Sequence, residues 1–306
     1  MLAYLVKRLL QGIPTVLLVC VVVFLLMHMV PGDPVRIMSD RTATPEDLER
    51  LSRSLGLHLP LHIQFGRWIS RAVRGDLGRS IRTGHQVTEE LLYRLPRTLL
   101  LTAASLSFAV VVGIGAGILA SVRSGSIPDM AIMISAVLGM SVPPFWLGLM
   151  FILLFSVSLN WLPSGGSGTW LHLILPSLSL GLAGMGLIAR MTRSTMLEVL
   201  GADYIRTARS KGLAERTVIY RHALKNAMIP TITVIGLQFG ILMAGAVVTE
   251  RVFSWPGMGW LLVRSIHNRD FPVVQGALLI SSMAFIIINI GVDLIYGLLD
   301  PRIRYQ

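Results

Sequence analysis

The sequence predicts an all-α integral membrane protein with six spanning helices, and three observations carry that prediction. Of its 306 residues, 53% are hydrophobic and 14% charged. The mean hydropathy of +0.69 is far above that of a water-soluble domain. Apolar runs recur at about 9–30, 99–122, 130–159, 171–189, 229–249 and 273–299, each near or above the ~20 residues a spanning helix needs. The basic residues fall between these runs, most densely at 190–228, where Arg190, Arg193, Arg206, Arg209, Lys211, Arg216, Arg221 and Lys225 face only Glu198, Asp203 and Glu215. Such an excess marks the cytoplasmic side of a membrane.

Lys7 and Arg8 precede the first run, as in a signal peptide, but the run exceeds a signal's 7–15 apolar residues and Pro31-Gly32-Asp33-Pro34 follows it. It reads as a retained span with its N-terminus inside. Residues 31–98 then form a long outer segment, whose arginines do not overturn the orientation because long loops translocate largely regardless of charge. Three amphipathic pieces lie within it. Thr44 caps the first, with Pro45, Glu46 and Asp47 in the opening turn, a stripe of Leu48, Leu51 and Leu55, and Gly56 as the stop. Phe65, Ile69 and Val73, with Trp68 and Ala72 alongside, make a second stripe, and Val87, Leu91 and Leu95 a third. Gly75-Asp76-Leu77-Gly78 reads as a turn. The 160–170 loop lacks Lys and Arg and carries Trp161 and Trp170 at its edges, which suits the outer interface. The 250–272 stretch reads as a turn-rich outer loop with aromatics for the headgroup region and only Arg251, Arg264 and Arg269 as bases. Both termini are expected in the cytoplasm.

Within the 190–228 interval, Tyr204, Ile205 and Ala208 share one helical face. Gly212 ends that helix, since only glycine takes the left-handed conformation without steric cost. A second run places Tyr220, Leu224, Ala227 and Met228 on one side and Arg221 and Lys225 on another, and Pro230 opens the next span. A basic loop that only orients the protein would share these features.

The stretch Tyr204-Ile205-Arg206-Thr207-Ala208-Arg209-Ser210-Lys211-Gly212, followed by Arg221-His222-Ala223-Leu224-Lys225-Asn226-Ala227, resembles the EAA loop of ABC-importer permeases in its oligopeptide/dipeptide branch. Ala208, Gly212 and Leu224 match the general pattern, whereas Arg206, Thr207, His222 and Lys225 depart from it toward that branch. Met29 to Pro34, Glu250 to Gly259, Asn268 to Pro272 and Leu299 to Tyr305 are similar to the same family, so the resemblance covers nearly the whole chain. It implies a type I permease fold in the bacterial inner membrane and import of di- or oligopeptides by alternating access. Nickel chelates or glutathione are the other cargoes of the branch. The implied partners are a second, homologous permease subunit, two ATPase subunits that hold ATP and Mg, and a periplasmic substrate-binding protein. The coupling residues are then Tyr204, Ile205, Arg206, Thr207, Ala208, Arg209, Lys211, Gly212, His222 and Leu224. The implied organisation is a first helix with its periplasmic segment over 1–97 and a five-helix core over 98–306.

Other chemistries find little support. No G-x-x-x-x-G-K-[ST] occurs, so ATP must be bound by a partner. The net charge of +11 comes without a basic patch interleaved with aromatics, which speaks for lipid headgroups and an acidic partner over nucleic acid. Gly113, Gly115 and Gly117 lie inside a span and read as helix packing, as do Gly236 and Gly240. His58 and His62 are the sole i, i+4 histidine pair, and Gly56 and Pro60 disturb a helix there, so no metal site is expected. Cys20, the one cysteine, is a packing residue. Glu250 and Arg190 sit at span ends and are expected to reach the interface. Asp293, inside the last span, either faces a translocation path or pairs with a basic residue near the inner interface; the structural role is the expectation. An intramembrane enzyme would need catalytic groups gathered at one depth, and Asp293 has no companion of that kind.

Overall fold

The computed structural model describes residues 2–29, 44, 46, 53 and 58–299, with side chains at 10–25, 29, 44, 46, 53 and 58–292. Among these residues there is no strand, only an isolated Arg79–Gln86 bridge. The helices are α1 (Leu2–Met29), α2 (Leu61–Val73), α3 (Val87–Val122), α4 (Ile127–Ser141), α5 (Pro144–Ser158), α6 (Leu171–Leu200), α7 (Asp203–Ser210), α8 (Glu215–Val252), α9 (Met258–His267) and α10 (Phe271–Leu299). Four of them, α3, α6, α8 and α10, are long and apolar enough to cross a membrane, and α4 with α5 makes a fifth if the bent pair counts as one span. In α1 the described apolar stretch is Leu10–Leu25. Most of the first amphipathic piece, 44–56, and the side chain of Asp293 lie outside the described residues.

Several boundaries differ from the sequence expectation, each for a physical reason. The Val87 stripe and the 99–122 run are one 36-residue helix, continuous through Pro96. The 130–159 run is broken: α4 and α5 meet at 103°. Val142 is extended (φ −93°, ψ 128°) because Pro143 excludes the helical conformation before it, and two successive prolines remove two backbone donors. The unbroken hydrophobicity of the run conceals this corner. The 250–272 stretch is not mainly turn, since α9 occupies ten residues of it.

The chain divides into two compact units, one formed by 97–256 and 289–306, the other by 2–96 and 257–288. In the first, α6 is the hub. Its buried surface is made largely of small residues, including Ser177, Ser179, Gly181, Gly184, Gly186 and Ala189. A Cβ at Gly113 of α3 would stand 2.8 Å from the Met185 carbonyl, and one at Gly117 2.7 Å from that of Ala189. Gly115 faces open space. On another side of α6, a Cβ at Gly186 would collide with the Ala136 carbonyl of α4. Without a hydrophobic drive between helices in lipid, this backbone approach and its dispersion contacts hold the bundle.

At the far end of α8, Glu250 is fully buried and does not reach an interface. Its Oε1 accepts from the Thr98 hydroxyl at 2.5 Å, and its carbonyl accepts the Trp255 N–H at 2.8 Å. Phe253 and Trp255 are buried too, and the Trp255 indole donates to the Arg97 carbonyl at 3.1 Å. A buried indole N–H needs an acceptor, and this one ties the loop after α8 to α3. Trp161 and Trp170 do stay exposed.

The second unit packs Cys20, Phe24, Trp68, Leu77, Val87, Leu91, Met258, Leu261, Val273 and Ala277 into one cluster. Phe24 meets Phe65 edge-on at 5.3 Å. The α2 stripe is Phe65, Trp68, Ile69 and Ala72, whereas Val73, at the last residue of the helix, points out. Gly75 and Gly78 take positive φ, as the turn requires, and the Gly78 N–H donates to Asp76 Oδ1 at 2.9 Å. The loop that follows is pinned by Asp270, whose carboxylate accepts from the Ser80 hydroxyl at 2.5 Å and the Ile81 N–H at 3.0 Å.

Candidate functional site

The helical run of α6 outlasts its apolar part by about three turns and ends at Leu200. Ala202 then turns extended (φ −73°, ψ 149°), and its carbonyl accepts from the Ile205 and Arg206 N–H groups to start α7. Asp203 stands in the first turn and Arg209 in the last, both suited to the helix dipole. Gly212 lies at φ +75° and donates its N–H to the Arg209 carbonyl at 2.9 Å, which bears out its reading as the stop. A Cβ there would touch nothing within 4 Å, so the requirement for glycine is purely conformational.

The short helix is held by one apolar face. Ile205 and Ala208 are buried against Ile118, Met196, Val218, Ile219, Ala223 and Ala227. Burying the Ile205 side chain contributes about 1.5–3 kcal/mol. Tyr204, predicted on that face, sits at its margin with 43% exposure, and its hydroxyl accepts from Asn226 Nδ2 at 2.7 Å. Its ring can pack while its polar tip stays wet. The second stripe is also shifted. Buried residues are Val218, Ile219, Ala223 and Ala227, whereas Tyr220 is exposed and Leu224 and His222 are half-buried. The cause is a π-helical turn over Val218–Ala223, whose i→i+5 bonding advances the register by one residue.

The outward face of α7 carries Arg206, Thr207, Arg209, Ser210 and Lys211, all exposed. Of the residues expected to couple, Tyr204, Arg206, Thr207, Arg209 and Lys211 therefore cluster on the surface, and Ile205 and Ala208 anchor them from beneath. Across the Gly212 turn, Arg209 grips Glu215 with Nε at 3.2 Å and the second guanidinium nitrogen at 2.6 Å. That bond holds the Arg209 guanidinium above its ordinary pKa. Asn226 and Glu215, which brace the helix from α8, were not singled out by sequence, because their partners lie across a turn whose geometry is not periodic.

One more ionic contact lies behind this surface. Arg193 of α6 forks onto Asp129 of α4, Nε to Oδ1 at 2.5 Å and a terminal nitrogen to Oδ2 at 2.6 Å. Oδ2 also accepts the Gly125 N–H at 2.9 Å.

Known proteins share this organisation. Residues 113–305 match the family described as "Binding-protein-dependent transport system inner membrane component", and residues 1–102 match "Binding-prot-dependent transport system membrane comp, N-term". The chain is 48% identical over 306 residues, all of both chains, to the glutathione transport system permease protein GsiC of Escherichia coli (strain K12). It is 47% identical over the same length to GsiC of Salmonella paratyphi A. Among solved structures, an inward facing conformation of the MetNI methionine ABC transporter has a TM-score of 0.58 at 19% identity, covering 69% of this chain and 96% of that one. An amino acid ABC transporter gives 0.51 at 15% identity, covering 70% and 94%. At those identities the likeness is one of fold. The chain belongs to the family of binding-protein-dependent transport system inner membrane components, as a non-catalytic permease subunit of an ABC importer.

Proposed function

We propose that this permease carries glutathione or a peptide of similar size inward, and that α7 is the element through which ATP hydrolysis drives it. The observation that carries the reading is α7 itself, a short helix anchored by Ile205 and Ala208 with an exposed, basic outward face. Such a face fits a groove with acidic edges on an ATPase. Two ATPase subunits, binding ATP and Mg, would push on it, and α6 and α8, joined to both of its ends, would tilt in response. A second, related permease subunit would complete the path, and a separate binding protein would present the cargo. Six spans with both termini in the cytoplasm follow if α1 spans and α4 with α5 counts once. Residues 1–97 then form the first span with an outer segment, and 98–306 the five-span core.

For the cargo, identity at 48% along the whole chain to proteins named as glutathione permeases supports glutathione ahead of longer peptides or nickel chelates. Uptake by the reconstituted complex should saturate with labelled glutathione and be competed by small peptides. Uptake of a dipeptide or a nickel chelate without glutathione uptake would contradict the assignment. The coupling residues Tyr204, Arg206, Thr207, Arg209, Lys211 and Gly212 act at the docking face or its hinge, Ile205, Ala208 and Leu224 from beneath, and His222 beside them.

A further inference from the structure

The pair Asp129–Arg193 does more than hold two helices together. Asp129 is 4% exposed, and its carboxylate carries two duties. It accepts the Gly125 N–H, which fixes the turn between α3 and α4 at a residue of φ +77°, and it receives the two-pronged guanidinium of Arg193. Arg193 lies on α6 three residues before Met196, and Met196 is fully buried in the cluster that seats α7. Residues three apart share a helix face. The last turns of α6 thus hold α7 with one residue and α4 with another, one turn apart.

We propose that Asp129 and Arg193 are positioning residues that pass the displacement of α7 on to α4 and α5, the bent pair; this rests on α7 being the coupling helix. Packing at this contact is a close backbone approach at Gly186 with the flexible Met140 side chain beside it, which sets the helix separation more firmly than the direction. A bidentate fork has set distances and a set plane, so it makes α4 follow the end of α6. An uncharged pair of similar volume that still offers the Gly125 N–H an acceptor would hold the same helices without the cost of removing charge from water. It would not fix their relative angle. Stability and transmission therefore separate at this joint.

The test uses the full reconstituted importer, with glutathione as probe, and measures uptake per ATP hydrolysed beside the yield of assembled complex. The double variant Asp129→Asn/Arg193→Met leaves an amide oxygen for the Gly125 N–H, so it should assemble like wild type and keep ligand-stimulated hydrolysis, while uptake per ATP falls about tenfold, within the usual range of site-to-site coupling. Arg193→Lys keeps the charge and loses the fork, and should lower the ratio by a smaller factor. A wild-type ratio in both variants overturns the proposal. So does loss of assembled complex with an unchanged ratio in what remains, because the pair is then only structural. Gly212→Val is run alongside: a wild-type result there removes the role of α7, whereas an impaired Gly212→Val beside wild-type pair variants removes the joint alone.

Discussion

Asp129 and Glu250 are both buried carboxylates near helix ends of the same unit, but they differ in how far they are closed off from the surface and in which elements they tie together. Asp129 faces a guanidinium whose side chain keeps 27% of its surface open, and it joins α4 to α6 through two parallel bonds. Glu250 is shut in completely, with the Thr98 hydroxyl on its carboxylate and Trp255 on its carbonyl. The first arrangement is a joint with a direction, near α7, the helix proposed to meet an ATPase. The second is a knot that ties α3, α8 and the loop after α8 at the other end of α8. On the proposed reading, buried carboxylates of one bundle serve transmission in one place and closure in the other.

The contrast breaks most visibly at the closed end. Glu250→Ala should lower the stability of the complex by about 2–4 kcal/mol, from the lost Thr98 hydrogen bond and the cavity left behind. A thermal unfolding midpoint in detergent reads this directly. Uptake and hydrolysis should then fall together with the amount of folded protein, leaving their ratio untouched. A changed ratio with full stability would make Glu250 a transmission residue and erase the distinction.

A smaller effect sharpens the comparison from the other side. Arg209 makes the same two-pronged grip on Glu215, but the two side chains are 43% and 54% exposed. If the fork alone made a joint, Arg209→Ala would uncouple as the Asp129 and Arg193 variants do. If burial is also required, Arg209→Ala should cost no more than about 1 kcal/mol and, in complexes that retain their bound ATPase, change uptake per ATP by less than about threefold. The same uptake and hydrolysis measurement separates these outcomes.

What the sequence could and could not disclose follows from the range of the forces involved. Gly212 was legible because a helix stop at a positive φ is a local requirement that one residue type meets. Ile205 and Ala208, and the Val87 and Leu91 stripe, were legible because burial leaves a periodic trace. The π turn at Val218–Ala223 was not, since it changes the period itself and so misplaced Tyr220 on the buried side. The corner at Pro143 and Pro144 is written in the residues, but a continuous apolar run hides it from a reading by hydropathy. Asp129 and Arg193 are 64 residues apart, and nothing near either one names the other. Glu250 looked like a terminal charge because its partner Thr98 stands 152 positions away.

If α7 with its Gly212 hinge couples an ATPase to the spans, Gly212→Val should break that coupling. Nothing crowds the position, so the variant introduces backbone strain of about 1–3 kcal/mol and no collision. Ligand-stimulated hydrolysis and uptake should be measured in the reconstituted complex beside wild type. The expected result is an inserted, paired permease in which the ATPase binds more weakly or hydrolyses without transport. Wild-type hydrolysis and wild-type uptake in Gly212→Val would contradict it, leaving the 190–228 interval as a basic loop that only orients the chain.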